Sequence, residues 1–153
     1  SFIDAKEYIE KLVQQITSLY TPSDKQLDIV INVDAVQLDF DTMMSCGMMI
    51  NELLTNCFKY AFNGRKKGKI EIEMFERCNQ VQFTVTDDGI GIQQPDILEK
   101  PSLGMQLIQC FRQNLEAEVS YQSDNGSIFV VVFKRPVAQV ARKQTVVAYE
   151  VST

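Results

Sequence analysis

The chain has 153 residues, 45% of them hydrophobic and 23% charged, the balance of one ordinary globular domain rather than of a disordered or fibrous chain. Lys plus Arg total 15 against 20 for Asp plus Glu, a formal charge of −5, the reverse of the basic surplus that a nucleic-acid binder carries. No apolar run approaches a bilayer span, and charges throughout the first twenty residues leave no signal-peptide pattern, so a cytosolic domain without membrane contact is expected.

Apolar residues at Ile9, Leu12, Val13, Ile16 and Leu19, with Tyr8 beside them, predict an amphipathic helix over Asp4–Tyr20. Asp4 is its cap, with Glu7 three residues on. Thr21 to Asp24 ends it, and the alternation Leu27, Ile29, Ile31, Val33 reads as a strand. Helical spacing returns over Asp41–Phe62, with Asp41 or Thr42 as cap and Asn63-Gly64 as stop. Lys69–Phe75 and Gln80–Thr86 alternate and are joined by Glu76 to Asn79, which predicts an antiparallel pair. Asp87–Pro101 has no period. A third helix is expected over Ser102–Leu115, capped by Ser102, followed by a hairpin of Glu118–Ser123 and Ser127–Phe133 around Asp124-Asn125-Gly126. Residues 137–153 form a C-terminal extension with one short strand candidate, Thr145–Tyr149. Two-strand units alternating with helices imply an α+β fold: two layers, a mixed and mostly antiparallel sheet, helices on one face.

The four cysteines, Cys46, Cys57, Cys78 and Cys110, are widely spaced with no CxxC pair, and three lie in apolar stretches. They read as reduced, buried thiols. The chain contains no histidine, which removes histidine-ligated zinc, a Ser-His-Asp triad and a Cys-His pair together.

The helix carries the first chemical signal. At about 100° per residue, Glu52, Asn56, Lys59 and Tyr60 share one arc with Thr55, while Ile50, Leu53, Leu54, Cys57 and Ala61 occupy the arc facing away. That stripe is either an ordinary solvated face or a metal-triphosphate site, oxygen ligands for Mg²⁺ beside a lysine for phosphate. A second signal follows a strand: Asp87-Asp88-Gly89-Ile90-Gly91 offers a carboxylate for an exocyclic amine and glycines that let a flat ring approach. The third is Ser102-Leu103-Gly104 opening a helix, either a plain serine cap or an anion site at the helix terminus.

Taken in this order, the three motifs resemble those of the ATP-binding domain of sensor histidine kinases, within the Bergerat-fold (GHKL) ATPases. Asn51–Phe62 is similar to that family's N-box, Asp87–Gly91 to its first glycine box, and Ser102–Leu107 to its second. Gly126-Ser127-Ile128-Phe129 resembles its Gly-Thr-x-Phe strand, with serine for threonine. The resemblance covers roughly Tyr8 to Phe133. The second glycine box departs from it, with Lys100, Pro101 and Ser102 where many members begin with a glycine pair.

The resemblance implies roles. Asn56 would ligate Mg²⁺, and Glu52 would stand beside that metal and its waters. Lys59 and Tyr60 would lie along the phosphates or ribose, with Glu52 and Lys59 as the catalytic pair. Asp87 would accept from the adenine amine, Gly89 and Gly91 would shape the pocket, and Leu103, Gly104 and Ser127 would complete the ATP site. Gln93–Pro101 would be the lid. The implied activity is transfer of the ATP γ-phosphoryl group to a histidine on an upstream dimerisation helix, and from there to a response regulator. A chain starting at Ser1, directly before a helix, is expected to be a piece lacking the upstream sensor and acceptor segments, cytoplasmic or the cytoplasmic part of a membrane-bound sensor. Two other readings use the same nucleotide fold, an anti-sigma-factor-type serine kinase and a non-catalytic nucleotide-sensing module. The Lys59-Tyr60 ending favours the histidine-kinase branch over the first.

Overall fold

The computed structural model describes residues 1–91, 103–123 and 125–135. The elements run β1 (Ile3–Asp4), α1 (Ala5–Tyr20), β2 (Gln26–Val33), β3 (Gln37–Leu38), α2 (Phe40–Asn56), a π-helical turn (Cys57–Ala61), β4 (Lys67–Arg77), β5 (Gln80–Asp87), α3 (Leu103–Leu115), β6 (Glu118–Ser123) and β7 (Ser127–Lys134). The expected lid and C-terminal strand candidate lie outside the described residues, as does Ser102.

Five strands form one sheet in the order β2-β4-β5-β7-β6, and β1 pairs with β3 in a separate two-stranded ribbon. Only β2 and β4 run parallel in the large sheet; its remaining pairs are antiparallel. The α+β class and the mixed sheet therefore hold. Strand pleating decides which side chains enter the core. Ile70, Ile72 and Met74 of β4, Val81, Phe83 and Val85 of β5, and Phe129, Val131 and Phe133 of β7 are all buried on one face. The helices cover that face. Ile9, Val13 and Ile16 of α1 are buried with Met43, Met49, Ile50, Leu53 and Leu54 of α2, the one-sided apolar stripe of a helix packed on a sheet.

Three local expectations are corrected. The cap of α2 is Asp39, whose carboxylate accepts the Thr42 amide at 2.9 Å, not Asp41 or Thr42. A capping oxygen must reach the free N–H two or three residues on, and the helix begins at Phe40, so only Asp39 stands at the right distance. Leu19 is 77% exposed, because the last turn of α1 runs past the edge of the core. Of the four cysteines, all free, Cys46 and Cys57 are buried but Cys78 and Cys110 are exposed. Cys78 lies in the β4–β5 turn. It and Asn79 take left-handed backbone angles, φ 52° and 61°, as a two-residue hairpin loop between twisted strands requires. The Asp4 cap of α1 is as expected, its carboxylate accepting the amides of Lys6 and Glu7.

A cleft between helix and sheet

The strand register that builds the core also builds the site. Asp87 closes β5 two residues after Val85, so it points to the same side as Phe83 and Val85, into the interior. It is 5% exposed. Ser127 opens β7 directly opposite Asp87 in the ladder, and its hydroxyl donates to Asp87 Oδ2. The Gly89 amide donates to Oδ1 at 2.9 Å. From the helix side, the Cys57 thiol donates to Oδ2 at 3.5 Å. A buried carboxylate is tolerable only when so many donors face it. Burial and the adjacent Asp87 charge push the Cys57 thiol well above its ordinary range, so it stays protonated as a donor.

Around this carboxylate opens a cleft lined by Leu53, Asn56, Cys57, Ala61, Asp87, Gly91, Met105, Ser127 and Phe129. Its walls are apolar and its few polar groups converge, the pattern of a small-ligand site. The glycine loop closes the floor. A Cβ on Gly89 would run into the Ala61 carbonyl oxygen, and Gly91 sits at φ +73°, where a side chain is strained. That close approach is why the loop spells Gly-Ile-Gly. The Ile90 amide donates to the same Ala61 carbonyl at 2.8 Å, tying loop to helix.

Of the residues expected at a site, the structure brings Asn56, Asp87, Gly91 and Ser127 to the cleft surface, with Gly89 behind it. Asn56, the last residue of α2, precedes the π-helical turn and makes no side-chain capping bond, which leaves its amide available to a ligand. Glu52 is half-buried one turn earlier. Lys59 and Tyr60 are exposed and do not line the cleft. Both stand in the π-helical turn Cys57–Ala61, on its solvent side. Leu103, the first residue of α3, is 75% exposed. Gly104 is half-buried beside Met105, and only Met105 reaches the lining.

One assignment on this helix is overturned. Thr55 is buried, its hydroxyl donating to the carbonyls of Asn51 and Glu52 at 2.8 and 3.1 Å, so it does not belong to the polar stripe. The apolar arc is buried as expected, and it also contributes Leu53, Cys57 and Ala61 to the cleft, because the cleft is cut into the same core on which the helix packs. The spacing 53, 57, 61 was visible as one helical stripe. Nothing in it said that the stripe borders a ligand.

Among the described residues no group of three His, Cys, Asp or Glu side chains could hold a metal ion. A protein cage for a cation is thus missing there. A single neutral amide such as Asn56 fits the different case of a Mg²⁺ held mainly by water and phosphate.

A family profile described as histidine kinase-, DNA gyrase B-, and HSP90-like ATPase matches residues 44–137, the stretch that supplies helix, glycine loop and both strands of the cleft. The chain belongs to this ATPase family. Among curated proteins, blue-light-activated histidine kinase 2 of Erythrobacter litoralis is 29% identical over 126 residues, 81% of this chain. This chain spans only 35% of that relative's length. The solved histidine kinase domain of an Erythrobacter litoralis blue-light-activated kinase superposes with a TM-score of 0.80 at 24% identity, over 86% of this chain and 61% of that one. A mycobacterial sensor histidine kinase, MprB, gives 0.67 at 17% identity, over 89% of this chain and 98% of that one. These likenesses place the described fold among ATPase domains of histidine kinases.

Proposed function

We propose that this ATPase-family chain is the ATP-binding catalytic domain of a sensor histidine kinase. The observation that carries the reading is the buried Asp87 carboxylate at the floor of an apolar cleft, faced by the uncommitted Asn56 amide. An adenine ring suits the apolar walls, with its amine donating to Asp87. The triphosphate then extends toward Asn56 and the first turn of α3, whose amides favour anions.

Mg²⁺ bound by Asn56 and phosphate oxygens would neutralise phosphate charge. Glu52 is assigned a place beside that metal and its waters, and Lys59 and Tyr60 are assigned to phosphates or ribose, reached from the exposed side of the turn. Leu103 and Gly104 complete the phosphate end. In the reaction a histidine nitrogen attacks the γ-phosphorus, a P–N bond forms, the bond to the β-phosphate oxygen breaks, and ADP leaves. Positioning and charge neutralisation supply most of the catalysis.

The acceptor histidine must come from elsewhere, since the chain has none. A dimerisation helix of the full-length protein is the proposed donor of that residue, and a response regulator the onward acceptor. No helix among the described residues is long and apolar enough to cross a membrane; the proposed location of the domain is the cytoplasm.

The test joins this chain to the dimerisation helix of its full-length protein and supplies Mg-ATP. An acid-labile, base-stable phosphoprotein is expected, lost in Glu52→Ala and Asn56→Ala. Acid-stable phosphate on a serine of a partner protein would replace the reading with a serine kinase. Tight Mg-ATP binding without transfer to any acceptor would replace it with a sensing module.

A further inference from the structure

A carboxylate offers about four acceptor directions, two on each oxygen. At Asp87 the protein fills three of them itself. The Gly89 amide takes one on Oδ1, while the Ser127 hydroxyl and the Cys57 thiol both donate to Oδ2. The two donors on Oδ2 come from different elements, Ser127 from the neighbouring strand and Cys57 from the helix wall. Both line the cleft with Asp87. What Asp87 has left for a ligand is one acceptor direction, on Oδ1.

We propose that Cys57 is a specificity-determining residue: with Ser127 it closes Oδ2, so that Asp87 presents one acceptor to a purine and not two. The inference rests on reading the cleft as an adenine-nucleotide site. Adenine offers its carboxylate partner a single amine, which one open acceptor satisfies. Guanine has two donors side by side, its ring N–H and its 2-amino group, and turned toward an open carboxylate it would engage both oxygens at once. An unguarded Asp87 could therefore accept guanine in that orientation. Occupying Oδ2 in advance leaves one of guanine's donors buried without a partner, and specificity of this kind comes from penalising the wrong ligand. The thiol suits the task because it is small and 7% exposed, and burial keeps it protonated.

Calorimetric affinities for ATP and GTP test this in the wild-type chain, Cys57→Ala and Cys57→Ser. Cys57→Ala should narrow the ATP-to-GTP affinity ratio by about three- to tenfold, chiefly through tighter GTP binding. Cys57→Ser keeps a donor at the same place and should hold the ratio close to wild type. Should Cys57→Ala fail to fold, Ser127→Ala opens Oδ2 from the strand side and should narrow the ratio likewise. An unchanged ratio in the folded alanine variants overturns the proposal and leaves Cys57 a packing residue. If Asp87→Ala binds ATP as tightly as wild type, the adenine reading itself has failed, a result distinct from failure of the Cys57 assignment alone.

Discussion

The carbonyl oxygen of Ala61 accepts the Ile90 amide at 2.8 Å, and a Cβ on Gly89 would collide with that same oxygen. One carbonyl at the end of the π-helical turn thus sets the distance between the helical wall of the cleft and its glycine floor. Gly89→Ala should push the two apart. It should lower stability by about 1–3 kcal/mol, the usual cost of overpacking, and weaken ATP binding in parallel. Thermal denaturation and calorimetry on one preparation check this; unchanged values in both would show that the contact does not set the cleft.

Asp87→Ala removes the buried acceptor and strands the donors aimed at it. A lost buried pairing costs about 1–3 kcal/mol, so ATP affinity should fall by about five- to 150-fold. Wild-type protein should bind ATP well ahead of GTP, since a guanine in the adenine orientation presents an oxygen where the carboxylate needs an N–H. Equal calorimetric affinities for the two nucleotides would remove Asp87 from base recognition.

Asn56 lines the cleft and its side chain caps nothing. Asn56→Ala and Asn56→Asp should therefore leave the melting temperature nearly unchanged while reducing the gain in ATP affinity on adding Mg²⁺. Titrations with and without the metal measure that gain. Its survival in both variants would make Asn56 structural.

Glu76 and Arg135 form a two-pronged ion pair, at 2.5 and 2.6 Å, between β4 and the residue following β7, and Arg135 also donates to the Gln37 carbonyl. The hydrogen bond from Arg135 and its charge hold the Glu76 carboxyl below its ordinary value of 4.5, against the opposing effect of partial burial. A depressed folded value means the pair stabilises fully above about pH 4.5 and loses its contribution as pH falls through the lowered value. Glu76→Gln should cost about 1 kcal/mol at neutral pH, and the difference from wild type should shrink toward pH 3. Melting curves over that range decide it; a constant gap would assign the loss to packing.

Cys78 and Cys110 are exposed, whereas burial raises the thiols of Cys46 and Cys57 far above their ordinary range. Thiolate is the reactive form. Iodoacetamide at pH 8 should therefore label Cys78 and Cys110 in the native protein and spare the other two, which peptide mass mapping reads directly. Rapid native labelling of Cys57 would contradict its burial beside Asp87.

Much of the fold was legible because its signals are local. The Asp4 cap, the periodicity of α1 and α2, and the alternation of β4, β5 and β7 follow from side chains a few residues apart, and the structure contains each. The ribbon of β1 and β3 escaped notice because two residues per strand carry no period. The π-helical turn escaped for another reason: Cys57 to Ala61 reads as continuous α-helix, and only contact with the glycine loop distinguishes it. Asn56, Asp87, Gly91 and Ser127 could be named from motif order, while Leu53, Ala61, Met105 and Phe129 lie within the same motifs without a role that the sequence assigns.

The linear order of residues by itself determined the types of the longer elements, the one-sided core and the presence of a carboxylate followed by glycines, since these depend on spacing along the chain. Tertiary structure alone decided that Cys57 belongs to the cleft and that Lys59 and Tyr60 face solvent. Cys57 and Asp87 stand thirty positions apart, and Asp87 and Ser127 forty. Which oxygen each donor meets depends on strand register and helix rotation across the core, and no local preference of a side chain encodes either.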